Sequence, residues 1–147
     1  MQQEELQRIA QLVEMNRQKM TRIEEQLSKL AEVRLEQLGV ITALQATETG
    51  RPTMVPLGSG VQMPATPTSD SIIIDIGSGV QAEKPRAEAI TILEARGVEI
   101  GDVMAALQTE LDETEKVVAE LASTFTTAAE ALKAEESEEP TPVVEKK

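Results

Sequence analysis

The distribution of proline constrains this chain more than any other feature of its sequence. The seven prolines lie at positions 52, 56, 64, 67, 85, 140 and 142, and segments 1–51 and 86–139 contain none. Proline breaks the interior of a helix because it lacks a backbone N–H and its ring clashes with the preceding turn. The sequence therefore predicts two long helical arms, a punctuated middle segment between them and a short broken tail.

The first arm, residues 1–48, shows the 3-4 alternation of apolar residues that is typical of a coiled-coil helix. Its predicted seam consists of Leu6, Ile9, Val13, Asn16, Met20, Ile23, Leu27 and Leu30. Beyond Leu30 the strict spacing falls on the polar residues Arg34 and Gln37. The apolar residues of this stretch are Leu35, Leu38 and Ile41. This displacement predicts a stutter, at which the heptad is interrupted and the supercoil unwinds locally.

The second arm, residues 86–133, carries a longer seam of the same kind, and Pro85 suits the first position of its helix. This seam consists of Ile90, Leu93, Gly97, Ile100, Met104, Leu107, Leu111, Thr114, Val118, Leu121, Phe125, Ala128 and Leu132. Gly97 and Gly101 predict local softness or a close approach of the two helices. Because the arms are equally long, we expect them to fold back on each other as an antiparallel hairpin.

The middle segment, residues 49–85, contains an internal repeat. Residues 55–62 and 74–81 both end in Gly-Ser-Gly-Val-Gln, preceded by residues that suit a strand. Each copy predicts a β-hairpin whose glycines supply the positive φ angles of the turn. Isolated hairpins are marginal and their edges invite pairing, so the segment is predicted to be an assembly platform. The predicted assembly residues are Val55, Leu57, Gly58, Gly60, Val61, Ile72, Ile74, Ile76, Gly77, Gly79 and Val80.

A second interpretation of the later copy is a dinucleotide-binding turn, since residues 77–82 fit the pattern G-x-G-x-x-A. That fold requires a second parallel strand carrying an acidic residue, whereas the residues that follow have the pattern of a coiled coil. The same Gly-Ser-Gly also occurs at Gly58, which a repeated hairpin predicts and a phosphate-binding loop does not.

The composition disfavours several classes of function. The chain has no His and no Cys, so the commonest catalytic bases, nucleophiles and metal ligands are absent. We therefore expect no enzyme activity, no catalytic residues, no cofactor and no metal site. The formal charge of −12 disfavours binding to nucleic acid or to an anionic membrane. No segment approaches the length of an apolar membrane span or a signal peptide, so a soluble, cytoplasmic chain is expected.

The two hairpins and their flanks carry a resemblance to a known family. Residues 54–60 read Met-Val-Pro-Leu-Gly-Ser-Gly, and residues 74–84 read Ile-Asp-Ile-Gly-Ser-Gly-Val-Gln-Ala-Glu-Lys. Placed between two heptad arms, they resemble the prefoldin alpha subunit family, the alpha class of archaeal-type prefoldin; beta-type subunits have only one such hairpin. The resemblance implies an α+β fold in which a long antiparallel coiled-coil hairpin has two β-hairpins at its base.

The resemblance also implies a partner set and an activity. It implies a heterohexamer of two alpha and four beta subunits, with a β-barrel body and six projecting coiled coils. Such an assembly captures unfolded client proteins without ATP and delivers them to a cytosolic group II chaperonin. The chain departs from the family pattern in having few charged residues in its hairpins. Its acidic tail, residues 134–147, is an individual extension that we expect to be disordered.

Client binding is expected where the free ends of the two arms meet, at the tip of the hairpin. The predicted client-binding residues are Leu6, Ile9, Leu12, Val13, Met15, Leu121, Phe125, Ala128 and Leu132. The alternative for each of them is an ordinary place in the packed seam, although Leu12 and Met15 fall beside it. The alternative for the whole chain is a structural coiled-coil scaffold or tether, which would need only a short turn between its helices.

Overall fold

The structure, a computed structural model, describes residues 2–138. A long helix precedes two β-hairpins, and a second long helix follows them. The elements are α1 (Gln2–Ala46), β1 (Thr53–Gly58), β2 (Val61–Ala65), β3 (Ser71–Gly77), β4 (Val80–Pro85) and α2 (Arg86–Glu138). β1 pairs with β2 and β3 with β4, both antiparallel, as two separate two-stranded sheets. The predicted α+β fold of two long helices and two β-hairpins is confirmed.

The ends of the second helix differ from the prediction. Pro85 is the last residue of β4, where it pairs with Ser71, and α2 begins at Arg86. The backbone N–H of Arg86 donates to the carbonyl of Asp70 at 2.9 Å, which joins the start of the helix to the start of β3. Residues 134–138, predicted to belong to the disordered tail, continue α2, because Ala and Glu favour helix. Residues 139–147 of that tail lie outside the described residues.

The chain divides into two compact units, and α1 and α2 contribute to both. We call the described residues 2–27 and 106–138 the terminal unit, and residues 28–105 the central unit. In the terminal unit Nζ of Lys19 lies 3.1 Å from Oε1 of Glu110. Val13, earlier in α1, lines a groove together with Phe125, later in α2. The two helices of the terminal unit therefore run antiparallel.

The seam of the terminal unit follows the predicted positions. Ile23 and Leu111 are buried, at 4% and 7% exposure, and the apolar seam residues on either side of them are mostly half-buried. Two predicted seam positions are polar, and each bonds to its own helix. Nδ2 of Asn16 donates to the Leu12 carbonyl at 2.8 Å, and Oγ1 of Thr114 donates to the Glu110 carbonyl at 2.7 Å. Each of these two side chains thus donates a hydrogen bond to the preceding turn of its own helix.

The core of the central unit joins the second hairpin to both helices. Ile74 of β3 is buried with Ala89 and Leu93 of α2. The partly buried side chains packed against this cluster are Ile41, Leu44, Ile72 and Ile92. One face of the second hairpin is therefore covered by residues of α1 and α2.

The predicted stutter after Leu30 is wrong. Leu35 and Leu38 are 72% and 53% exposed, whereas Gln37, Ile41 and Leu44 are half-buried. The strict 3-4 spacing of α1 is thus kept at Gln37, Ile41 and Leu44, although Arg34 is exposed. The physical reason lies in α2, where glycine leaves room for long polar side chains: a Cβ added at Gly97 would lie 3.8 Å from Oε1 of Gln37.

The internal repeat is also a repeat of conformation. The φ angles of Ser59 and Gly60 are 52° and 76°, and those of Ser78 and Gly79 are 53° and 75°. Two successive positive φ angles are the signature of a type I′ turn, whose twist suits a two-residue hairpin. The ladder of each hairpin shifts register one step before the turn, which leaves Leu57 and Ile76 as the bulged residues. The predicted turn glycines, which include Gly58 and Gly77, all have positive φ.

Candidate assembly and client-binding surfaces

The first hairpin exposes its apolar side chains on both faces. Every residue from Thr53 to Pro64 is exposed. The apolar side chains among them include Met54, Val55, Leu57, Val61 and Met63. Side chains alternate between the faces of a strand, so neither face of this sheet is covered by other residues of the described range 2–138. This hairpin is an unpartnered apolar surface.

The second hairpin has one covered face and one polar face. Ile72, Ile74, Ala82 and Lys84 share the half-buried or buried face. The other face carries Ser71, Ile73, Asp75, Gln81 and Glu83, all of them exposed. Of these five only Ile73, at 71% exposure, is apolar. With Ile76 and Val80 near its turn, the second hairpin thus exposes three large apolar side chains, against five in the first one.

The predicted assembly residues divide accordingly. The exposed apolar members are Val55, Leu57, Val61, Ile76 and Val80, and the four glycines shape the turns. Ile72 and Ile74, in contrast, lie in the core of the central unit. Met54, Met63 and Ile73 are exposed and were missed. The run Ile72-Ile73-Ile74 does not alternate between apolar and polar residues, so the sequence does not show which of its side chains face inward. The alternation of residues around Pro56 and Gln62 could have indicated that Met54 and Met63 are exposed.

Polar contacts hold the second hairpin against α2. Nε of Arg86 lies 3.2 Å from Oδ1 of Asp70, and Nζ of Lys84 lies 3.5 Å from Oε1 of Glu88. Further along α2, Nη2 of Arg96 donates to the backbone carbonyl of Asp75. The Asp75 side chain accepts the N–H of Gly77 at 2.8 Å, which closes a small turn at the bulge. These contacts fix the orientation of the hairpin within the central unit.

The terminal unit contains a groove of about 330 Å³ between α1 and α2. Its lining residues are Ala10, Val13, Glu14, Arg17, Ala122, Phe125 and Thr126. Phe125, the single aromatic residue of the chain, is 37% exposed. A predicted seam position therefore leaves a large apolar ring partly open to solvent.

The predicted client-binding residues fall into two groups. Leu12, Met15 and Phe125 are exposed. The half-buried members are Leu6, Ile9, Val13, Leu121, Ala128 and Leu132. The structure brings Val13 and Phe125 together at the groove. The groove residues Glu14 and Arg17 were not predicted, and their polar character in the sequence carries no signal for such a role.

Charge distinguishes the terminal unit. Its described residues, 2–27 and 106–138, hold 6 basic and 14 acidic side chains, a formal charge of −8.

Two other kinds of site were sought among residues 2–138. No group of three or more carboxylates there is arranged to hold a metal ion. Neither α1 nor α2 contains an apolar stretch of the length that a membrane-spanning helix needs.

The sequence of this chain matches one family of known proteins. The sequence model of the prefoldin subunit family matches residues 9–134. Among solved structures, the chain is similar to the cryo-EM structure of filamentous PFD from Methanocaldococcus jannaschii, with 19% identity and a TM-score of 0.49. That match covers 83% of this chain and 98% of the other. No curated protein matches the sequence. Because the family model spans most of its length, the chain belongs to the prefoldin family and is a chaperone-type subunit.

Proposed function

We propose that this chain is the alpha-class subunit of an ATP-independent holdase of the cytoplasm. In this proposal it assembles with prefoldin beta subunits, as two alpha and four beta chains, and binds non-native proteins. The complex delivers them to a group II chaperonin, and the chain itself performs no catalysis. The observation that carries the proposal is the first hairpin, an ordered sheet whose apolar side chains are exposed from Thr53 to Pro64.

Assembly through the hairpins follows from the energetics of small sheets. A single two-stranded hairpin is marginally stable in water, and large exposed apolar patches mark interaction surfaces. Burying apolar surface contributes about 25 cal/mol per Å². Residues 2–138 leave the first hairpin exposed, so contact with other chains would supply this burial. The alpha class is supported by the presence of two hairpins, since the resemblance assigns one to beta-type subunits.

Client binding is assigned to the terminal unit. Leu12, Met15 and Phe125 expose apolar side chains there, and the groove beside Phe125 has room for an apolar side chain of a client. An unfolded protein exposes apolar side chains of many kinds, and burial rewards contact with them without selecting a sequence. Weak sites on several subunits acting together would raise the overall affinity through avidity.

Suppression of client aggregation tests the client-binding proposal. The assembled complex, without ATP, should suppress light scattering by a chemically denatured client diluted into buffer. A variant with Leu12→Ser, Met15→Ser and Phe125→Ser should assemble normally but lose most of this suppression. The matched control carries Leu35→Ser and Val98→Ser, two exposed apolar side chains of the central unit. Full suppression by the triple variant, or equal loss in the control, contradicts the assignment.

A further inference from the structure

Methionine is the only sulfur-containing residue type of this chain. The sequence has six methionines and no cysteine. Hydroperoxides oxidise sulfur in proteins both as cysteine thiolate and as methionine thioether. In this chain their sulfur targets are therefore thioethers alone, and the exposure of each side chain decides which of them react.

The structure divides the methionines of residues 2–138 into two groups. Met15, Met54 and Met63 are exposed, at 57%, 55% and 48%. Met20 and Met104, both at predicted seam positions, are half-buried. Because a hydroperoxide must reach the sulfur, the three exposed thioethers should be oxidised first. Two of these three lie on the first hairpin.

The two methionines of the first hairpin lie on opposite faces of the sheet. Met63 pairs with Val55, and residues paired across two strands share a face. Met54 precedes Val55 in β1, and successive side chains of a strand point to opposite faces. Each face of this exposed sheet therefore carries one thioether, so a chain that covers either face also covers a methionine.

Oxidation converts these apolar side chains into polar ones. The sulfur lone pair attacks one oxygen of a hydroperoxide ROOH, an S–O bond forms and the O–O bond breaks. The remainder takes up the proton and leaves as ROH, which is water when the oxidant is hydrogen peroxide. Sulfur thus loses the two electrons that the peroxide gains. The product, methionine sulfoxide, is polar, and burying its oxygen without a hydrogen-bond donor is unfavourable.

We infer that Met54 and Met63 form a modification site at which hydroperoxides control the assembly of this chain. The inference rests on the proposed function, because it takes the first hairpin to be covered in the complex. Sulfoxide at these positions places polar oxygens in that contact and keeps an oxidised chain out of the complex. In an assembled chain the same contact shields both sulfurs, so the modification acts on unassembled chains.

The rate of oxidation at each methionine tests the site. The intact chain is treated with dilute hydrogen peroxide, alone or in complex with a prefoldin beta subunit, and its peptides are quantified by mass spectrometry. In the lone chain Met54 and Met63 should react at least about fivefold faster than Met20 and Met104, because their side chains are more exposed. In the complex their oxidation should slow by at least about tenfold, whereas Met15 should react at an unchanged rate.

Assembly of the oxidised chain tests the consequence. After peroxide treatment and its removal, the chain should bind the beta subunit at least about tenfold more weakly. The double variant Met54→Leu, Met63→Leu keeps two apolar side chains of similar size without a reactive sulfur. It should assemble equally well before and after the treatment. Met15→Leu is the matched control, and it should lose assembly after peroxide as the unmodified chain does.

Enzymatic reduction provides a measurement that needs no substitution. Methionine sulfoxide reductases of the A and B types act on the two epimers of the sulfoxide. Together with a thiol reductant they should restore the assembly of the oxidised, unmodified chain. This recovery distinguishes sulfoxide formation from irreversible damage to the helices or hairpins.

The outcomes separate the modification from the assembly. A chain that carries sulfoxide at Met54 and Met63 and still assembles as before overturns the inference and leaves the proposed function standing. Loss of assembly in the double leucine variant after peroxide also overturns it, because another group would then be responsible. Oxidised chain that the reductases do not restore counts against it as well. An untreated, unmodified chain that forms no complex contradicts both the inference and the proposed function.

Discussion

The guanidinium group of Arg34 lies against Gly101, where an added Cβ would come within 3.3 Å of Nη1. The next pair along the central unit is Gln37 with Gly97, and Oε1 of Gln37 is buried with no hydrogen-bond partner within residues 2–138. Two polar side chains of α1 thus occupy seam positions because α2 has no side chain opposite them. The pairing keeps the helical spacing regular at the cost of one unsatisfied polar atom.

Alanine at the two glycines should stabilise the chain by different amounts. Gly97→Ala should raise the free energy of unfolding by about 1 kcal/mol, because Ala favours helix and the new Cβ would make an ordinary contact. Gly101→Ala should raise the free energy of unfolding by less, because the guanidinium of Arg34 must move. In the double variant with Arg34→Ala, alanine at Gly101 should stabilise the chain as much as it does at Gly97. Urea unfolding measures all three, and destabilisation by Gly97→Ala would show that the gap at this glycine is required.

Substitutions within the seam should lower the free energy of unfolding much more than substitutions outside it. Leu35→Ala should change the free energy of unfolding by less than about 0.5 kcal/mol, because the side chain is 72% exposed. Ile23→Ala removes a side chain that is 4% exposed and should cost roughly 2–4 kcal/mol. Thermal unfolding monitored by circular dichroism provides the comparison. Similar losses for both variants would mean that Leu35 belongs to the seam.

The helices were readable from sequence because their signals are long. Dozens of proline-free residues and many apolar slots at 3-4 spacing agree with one another. The prediction that the seam moves to Leu35 and Leu38 is wrong because it rests on their hydrophobicity alone. The choice between Leu38 and Gln37 depends on Gly97 in the other helix, and that pairing appears only once the two helices are placed together.

The turn of the second hairpin should tolerate asparagine at its first position, Ser78, but not alanine at its second position, Gly79. Ser78 has a φ of 53°, which Asn adopts readily, so Ser78→Asn should leave the hairpin intact or stabilise it. Gly79 has a φ of 75°, where a side chain costs about 1–2 kcal/mol, so Gly79→Ala should loosen the ladder. Amide exchange at Ile74 and Ala82 measures the effect. Equal protection in both variants would contradict the assigned turn.

Arg96 should matter to the second hairpin although it lies in α2. Arg96→Met removes the hydrogen bond to the Asp75 carbonyl while keeping much of the apolar stem. Loss of about 1 kcal/mol of local stability should speed exchange of the Ile74 amide by about fivefold. Lys29→Met, which removes an exposed cation elsewhere in the central unit, is the control. Unchanged exchange in Arg96→Met would mean that the contact contributes nothing to the hairpin.

The candidate surfaces were less predictable than the fold. Exposure of Leu12 and Met15 followed from their positions beside the seam, and the structure agrees. The inward placement of Ile72 and Ile74 did not follow, because three successive isoleucines fit either face of a strand. The hydrogen bond from Arg96 of α2 to the Asp75 carbonyl of β3 joins residues 21 positions apart. Local sequence patterns carry no information on contacts at that separation.

Native mass spectrometry of the chain mixed with a prefoldin beta subunit tests the proposed assembly. We expect a complex of two copies of this chain and four of its partner, which the lone chain cannot form. A chain that stays a monomer or a dimer in the presence of the partner would rule out this assembly. That result would favour a structural coiled-coil tether instead.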